Sequence, residues 1–330
     1  MKRNYIVTRV MSETGTFRGV ALGLGNVEIR PPSSDSKEER SCLEASKQHY
    51  SLEVNLDGTA MRISALVQAE SEEEADHYAI EIFEETQDIL DNSSFGMSKF
   101  SLMDCGCITD IDGGITKPRF PVGTNAPKIF PTFERVEDLF PSVGGAQYFI
   151  NLSDSELKMG LLRSFYWSRK ARWEPEGQMR LLYRWFAMEA IWLSGKDEDI
   201  TPRIMWSLGF PNGPQAVMVS RNLITELSAH PTYSSWKGKI ELWLREIKVF
   251  RNKTVHNGFR PQDLSKKNLE DFNRLTMLAC PRVQGFAYRG LEMGCVNPGD
   301  LLSKSAEIFN SKIKKEEVHG TILYTLQNPD

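Results

Sequence analysis

Residues 243–258, Trp-Leu-Arg-Glu-Ile-Lys-Val-Phe-Arg-Asn-Lys-Thr-Val-His-Asn-Gly, decide how the second half of this chain is read. At about 100° per residue, Trp243, Ile247, Phe250 and Thr254 fall on one stripe, with Leu244, Arg251 and Val255 along its edge. The same period runs back to Ser234 and describes a long amphipathic helix, which Asn257-Gly258 ends in the manner of a C-cap. Arg251 stands where core meets surface. Asn252 and His256 are four apart on the other side, so the amide can hydrogen-bond the ring and fix its tautomer.

A neutral imidazole can take or give a proton near neutral pH, and a permanently charged guanidinium can hold the charge that builds on a phosphate in transfer. These are the two side chains that cleavage of RNA without a metal requires. Their spacing is awkward, because five residues on an ideal helix separate them by roughly 140°. Either the last turn is distorted before Gly258, or a dimer two-fold brings two such helix ends together; we favour the dimer. With 21 Arg and 5 His in the chain, an Arg followed four to six positions later by a His arises about once by chance. Context carries the signal: the pair closes a long amphipathic helix, Asn252 follows the arginine, and Gly258 follows the histidine. The competing structural reading makes Arg251 a salt-bridge partner and His256 a helix-end cation favoured by the macrodipole.

Outward from this stretch the period stays helical. Helices are expected at Asp154–Trp173, Glu176–Gly195, Pro214–His230, Ser234–Asn257 and Asp263–Cys280, separated by Pro175, Gly195, Pro211-Asn212-Gly213, Pro231 and Pro261. The second of them, with Leu182, Trp185, Phe186, Met188, Ile191 and Trp192, is apolar on every side and reads as the central helix of an all-α bundle. Glu189 within it needs a partner, since an unpaired buried carboxylate is very costly. Arg251, Arg184 and Arg203 are the alternatives. After the bundle, a helix near Ala306–Lys315 and a short strand at Thr321–Leu326 are expected in a tail.

Before the bundle, Pro118, Pro121, Pro127, Pro131 and Pro141 with Gly144-Gly145 mark a linker. The first half reads as α+β. Tyr50–Leu56 and Ala60–Ala69 alternate around Asp57-Gly58 as a β-hairpin would. Ser71-Glu72-Glu73-Glu74 has the form of a capping box, opening a helix with Ala75, Tyr78, Ile82 and Ile89 on one face. Lys99–Thr109 reads as strand, and the run at residues 19–26, Gly-Val-Ala-Leu-Gly-Leu-Gly-Asn, as strand and turn without dinucleotide-loop spacing.

Composition is that of a globular protein, 40% hydrophobic and 25% charged in 330 residues. The net charge of −4 hides an asymmetry. Residues 1–150 carry 14 Lys+Arg against 24 Asp+Glu, a net −10, and residues 151–330 carry 26 against 20, a net +6. A basic half suits a polyanion, because phosphate contacts supply most sequence-independent affinity for nucleic acid. The five cysteines, Cys42, Cys105, Cys107, Cys280 and Cys295, are scattered, with no Cys-x-x-Cys pair. Cys105-Gly-Cys107 can be a redox or metal pair, but in a strand it reads more readily as two half-buried residues. With neither a signal-length apolar core nor a membrane span, a cytoplasmic, reduced protein is expected. No phosphate-binding loop, nucleophile elbow or His-Glu-x-x-His motif is present.

Residues 243–258, together with Arg180-Leu-Leu-Tyr-Arg-Trp-Phe-Ala-Met-Glu-Ala-Ile-Trp192, resemble the HEPN superfamily, in particular its Apea-like branch, over residues 154–295. The expected architecture is thus an α+β N-terminal domain (1–115), sensory or regulatory, and a Pro-rich linker (116–150). An all-α HEPN-like helical bundle (151–298) and a C-terminal tail (299–330) follow. The resemblance implies a metal-independent endoribonuclease acting as a homodimer, of the kind found in toxin–antitoxin and antiviral defence systems, with RNA as substrate, no cofactor and no membrane. An antitoxin or regulatory protein is a possible partner. Arg251, Asn252 and His256 match the family's Arg-polar-x-x-x-His motif position by position, and Glu189 is a supporting residue. Some family members have lost activity, so a catalytically inactive module that binds RNA or a protein is the alternative. Arg163–Trp173 interleaves basic and aromatic residues, a composition suited to single-stranded RNA. Aromatics in a bundle helix more often belong to the core, so only Arg169, Lys170 and Arg172 are kept there as RNA contacts, with Lys253 beside the motif.

Overall fold

The structure, a computed structural model, describes residues 2–12, 21–50, 52, 54–57, 60–93, 101–119, 148–192, 199–212, 219–257 and 264–328. For residues 12, 91–93, 101, 256, 257, 266 and 312 it describes the backbone alone. Gly58, most of the expected linker (120–147), Gly195 and Gly258 lie outside the described residues. The chain divides into two compact units, Met1–Leu152 and Ser153–Asp330.

In the first unit, β1 (Arg3–Ser12), β2 (Leu22–Leu24), β3 (Val27–Arg30), β4 (Met61–Ala69), β5 (Ser101–Asp110) and β6 (Ile115–Pro118) form an antiparallel sheet in the order β2-β3-β4-β1-β5-β6. Two helices belong to it, α1 (Lys37–His49) and α2 (Glu72–Ser93). Register assigns them to opposite faces. Val10, Cys105 and Cys107 pack with Leu43 of α1, and Thr8, opposite both Cys107 and Ser64, shares that face. Val7, opposite Ala65 and Ile108, lies on the other, where α2 brings the fully buried Ala75, Ala79 and Phe83 against β4. Tyr78, expected on the packed face of α2, is 37% exposed. The turn between β2 and β3 needs Gly25, whose φ of 61° lies in the left-handed region open to glycine.

The expected hairpin is absent. Among the described residues of 50–56 there is no strand, and β4 pairs with β1 and β3 instead. Met61–Ala65 are buried on both faces, so β4 needs a partner along each edge, which a local hairpin does not supply. What precedes it is α1, opened by a capping box in which Ser36 and Glu39 satisfy each other's backbone N–H. β6 carries the sheet past the boundary expected at residue 115.

The second unit is helical: α3 (Glu156–Trp173), α4 (Gly177–Trp192), α5 (Thr201–Ser207), α6 (Arg221–Ser228), α7 (Tyr233–Asn257) and α8 (Lys266–Glu292). Then come α9 (Pro298–Ser303), α10 (Ser305–Lys312), α11 (Lys315–Glu317), a π-helical turn at Val318–Leu323, and α12 (Tyr324–Gln327). α4 packs against both α3 and α8. The approach to α3 is close enough that a Cβ on Gly160 would come within 2.6 Å of the Ala190 carbonyl oxygen. Residues 299–328 are no tail: Leu301, Ile308, Phe309, Val318 and Leu323 are fully buried, and Phe309 stacks on Trp206 at 5.9 Å. Thr321–Leu326, expected as strand, is helical for the same reason: Ile322, Leu323 and Leu326, at i, i+1 and i+4, share one buried helical face. The helix expected to stop at Cys280 continues through Pro281 to Glu292. Pro281 is exposed while Ala279, Val283, Phe286 and Ala287 are buried, and that burial outweighs the roughly 3 kcal/mol an interior proline costs.

Candidate functional site

Arg251 reaches its place because α7 buries Ile240, Leu244, Ile247 and Phe250 against the bundle, leaving the next position at the edge of the packed face. From there its Nη2 donates to Glu189 Oε2 at 2.9 Å. The other carboxylate oxygen of Glu189 accepts from Trp185 Nε1 at 2.7 Å, one turn earlier on α4. The indole thus fixes the carboxylate, and the carboxylate fixes the guanidinium. Arg251 Nη1 donates to Asn252 Oδ1 at 3.1 Å, and the guanidinium carbon stands 5.8 Å from the centroid of the Phe186 ring. The pair is partly shielded, with side-chain exposures of 25% for Arg251 and 15% for Glu189. Arg251 Nε is buried and has no hydrogen-bond partner.

Of the three arginines open to Glu189 from the sequence, Arg251 is the one that pairs with it. Arg184 donates to the Asn273 carbonyl at 3.0 Å and to its side-chain oxygen at 3.2 Å, and burial pushes its pKa down to about 10. Arg203 donates to the Trp192 carbonyl and lies over the Trp192 ring. Asn252 and Lys253 are exposed on the outer side of α7. His256 is the penultimate residue of that helix; its side chain, and with it the expected Asn252–His256 hydrogen bond, lies outside the described residues.

The three basic residues expected on α3 do not share one environment. Lys170 is exposed, while Arg169 and Arg172 are half-buried. Arg169 and Lys170 both lie over the Tyr166 ring, at 5.9 and 5.3 Å from its centroid. Tyr166 meets Trp167 edge-on at 5.2 Å, and Trp167 meets Phe186 at 5.3 Å. A continuous run of rings therefore joins the α3 cations to Arg251. From the sequence these aromatics read as core; the signal that they do not belong wholly to it is their helical phase, one or two positions off the buried Leu161, Phe165 and Trp185.

Cys105 and Cys107 are buried side by side on the α1 face of β5, and burial pushes their thiols up to about 11 and about 12, away from the reactive thiolate. Among the described residues no group of three or more His, Cys, Asp or Glu side chains is placed to hold a metal ion, and no helix is long and apolar enough to cross a membrane. The chemistry the site offers is a fixed cation at a helix end, beside an exposed amide and an aromatic surface. Comparison of the chain with models of protein families, with curated proteins and with solved structures finds no match.

Proposed function

We propose that residues 153–330 form a HEPN-type bundle and that the protein is a metal-independent endoribonuclease. The observation that carries this reading is the Arg251–Glu189 pair, which fixes at the end of a long helix the guanidinium of an Arg-Asn-x-x-x-His sequence. In the reaction, His256 removes the proton from a ribose 2′-OH, and the 2′-oxygen attacks the adjacent phosphorus. Arg251 neutralises the pentacoordinate phosphorane, and Asn252 orients the ring or a phosphate oxygen. The P–O5′ bond breaks and the leaving oxygen takes a proton, giving a 2′,3′-cyclic phosphate and a 5′-OH.

On an ideal helix Arg251 and His256 diverge by about 140°, so the reading includes a homodimer that joins Arg251 of one copy to His256 of the other. Leu242 and Val249, 55% and 52% exposed and seven residues apart, supply an apolar stripe on the outer face of α7, and position 256 follows seven further on. The biological setting that fits is a cytoplasmic toxin or antiviral effector, with the acidic first unit receiving a regulatory partner.

The test is end-labelled RNA incubated with purified protein at about pH 7.5 in EDTA. New ends bearing 2′,3′-cyclic phosphate are expected, and His256→Ala abolishes them while the fold is kept. Cleavage that EDTA stops, or that survives His256→Ala, would sink the reading. A second reading, a non-catalytic module that binds RNA or a protein, is favoured by one observation: Glu189 already balances the charge of Arg251. It predicts binding without new ends.

A further inference from the structure

The outer face of α3 alternates cations and rings. Arg163, Tyr166, Lys170 and Trp173 recur every three or four residues; Arg163, Lys170 and Trp173 are exposed and Tyr166 is half-buried. One position round, Trp167 turns towards α4, where it stacks on Tyr183 with centroids 5.5 Å apart and planes 27° from parallel. Phe186, edge-on to Trp167, carries the Arg251 guanidinium. Rings that serve the core of this bundle are sealed from water: Trp185, Trp192 and Trp206 are at most 1% exposed. Tyr166, Trp167, Tyr183 and Phe186 all keep part of their surface open. A cluster of half-open rings flanked by cations meets the two needs of an unpaired nucleotide, a π-face for the base and positive charge for the phosphates on either side.

We propose that Tyr166, Trp167, Tyr183 and Phe186 form a stacking platform for an unpaired nucleobase of single-stranded RNA, with Arg251 at one border and Arg163 and Lys170 at the other holding the flanking phosphates. The role of Arg251 here rests on the ribonuclease reading, and the platform then makes that ribonuclease selective for loops and single strands. In a duplex the base faces are already stacked on one another and are closed to the protein's rings.

The test uses the full chain and a fluorescein-labelled 2′-O-methyl oligoribonucleotide, which has no free 2′-OH and so reports binding alone by anisotropy. Single strand, the same sequence in duplex, and a single strand with one abasic position are compared. Trp167→Leu keeps an apolar side chain of useful bulk, and circular dichroism checks its fold; Lys170→Glu is a solvent-exposed second variant. Single-strand affinity is expected to exceed duplex affinity at least tenfold. Trp167→Leu is expected to weaken single-strand binding by at least about fivefold with little change for duplex, while Lys170→Glu weakens both. Loss from an abasic position should shrink in Trp167→Leu, since both changes delete the same stack. Equal affinity for single strand and duplex, no binding of single strand, or unchanged binding by Trp167→Leu overturns the platform. So does a Trp167→Leu protein that loses a subunit by light scattering, which would assign this face to a second copy. Cleavage of unmodified RNA is scored separately: binding in the expected pattern without cleavage leaves the platform standing and removes the nuclease, and cleavage with an unaltered KM in Trp167→Leu does the reverse.

Discussion

At the scale of single residues, Glu189 is the side chain whose replacement says most. Its two oxygens are divided between Trp185 and Arg251, so Glu189→Gln keeps the shape and one neutral hydrogen bond but leaves Arg251 without its counter-charge. The expected loss of stability is about 1–2 kcal/mol, since the pair is only partly shielded from water. If Arg251 acts on the phosphate, kcat falls by about tenfold or more while the pH profile stays where His256 sets it; Glu189→Gln protein as active and as stable as the parent would remove Glu189 from any positioning role. Cys107 offers a different test, on stability alone. Burial raises its pKa to about 12 from an ordinary 9.0, so the folded chain holds a proton that the unfolded chain releases. That contribution is whole below pH 9 and is lost as pH rises towards 12, by about 1.4 kcal/mol per pH unit. Urea unfolding at pH 8, 9 and 10 should therefore show the parent losing more stability with pH than Cys107→Ala. Parallel curves for the two proteins would contradict the burial of that thiol.

At the scale of elements, α7 combines two faces that the sequence separates well, because its period is long and its inward positions are consistently apolar. The inward face is accounted for by packing. The outward one carries Leu242 at 55% and Val249 at 52% exposure, an apolar stripe that a second copy would cover. Leu242→Glu with Val249→Glu is expected to leave the helix content intact and to halve the mass measured by light scattering, with cleavage lost in proportion. A double variant that keeps the parent's mass rules this face out as the dimer contact. The same contrast between local and distant information explains which elements were legible. The helices of the bundle announce themselves through their own period, and the Arg251–Glu189 contact was one of three pairings that the charge of Glu189 demanded. β4 could not be placed from its neighbours, since its partners come from β1, fifty to sixty-six residues earlier along the register, and from β3. α1 carries a local signal of its own, the Ser36-x-x-Glu39 capping box. Helix α8 ran past Pro281 because the ring points to water and the rest of the turn is buried, a balance of packing that no local rule contains. The aromatics of α3 and α4 misled for a related reason: composition marks them as apolar, and only the packing shows that they stop short of the core.

At the scale of the whole molecule, the division of charge matters more than its sum. The chain passes from the first unit to the second between Leu152 and Ser153, close to the point at which the sequence turns from a net −10 over residues 1–150 to +6 over residues 151–330. A polyanion approaching the helical unit feels both fields at low ionic strength, and mainly the nearer one once the Debye length has shrunk to about 8 Å at physiological salt. The acidic unit should then compete electrostatically with RNA for the proposed site on the helical unit. Residues 153–330, which contain their own buried core around Trp185, Trp192 and Trp206, are expected to bind single-stranded RNA more tightly than the full chain at about 50 mM salt. The advantage should shrink as salt rises, because screening removes the repulsion while the stacking contacts stay. Anisotropy titrations of both proteins across a salt series decide it. Converging lines on a plot of log affinity against log salt support competition by charge. Lines that coincide throughout would mean that the acidic unit leaves RNA binding alone, and its −10 would then have to be explained by a partner of opposite charge.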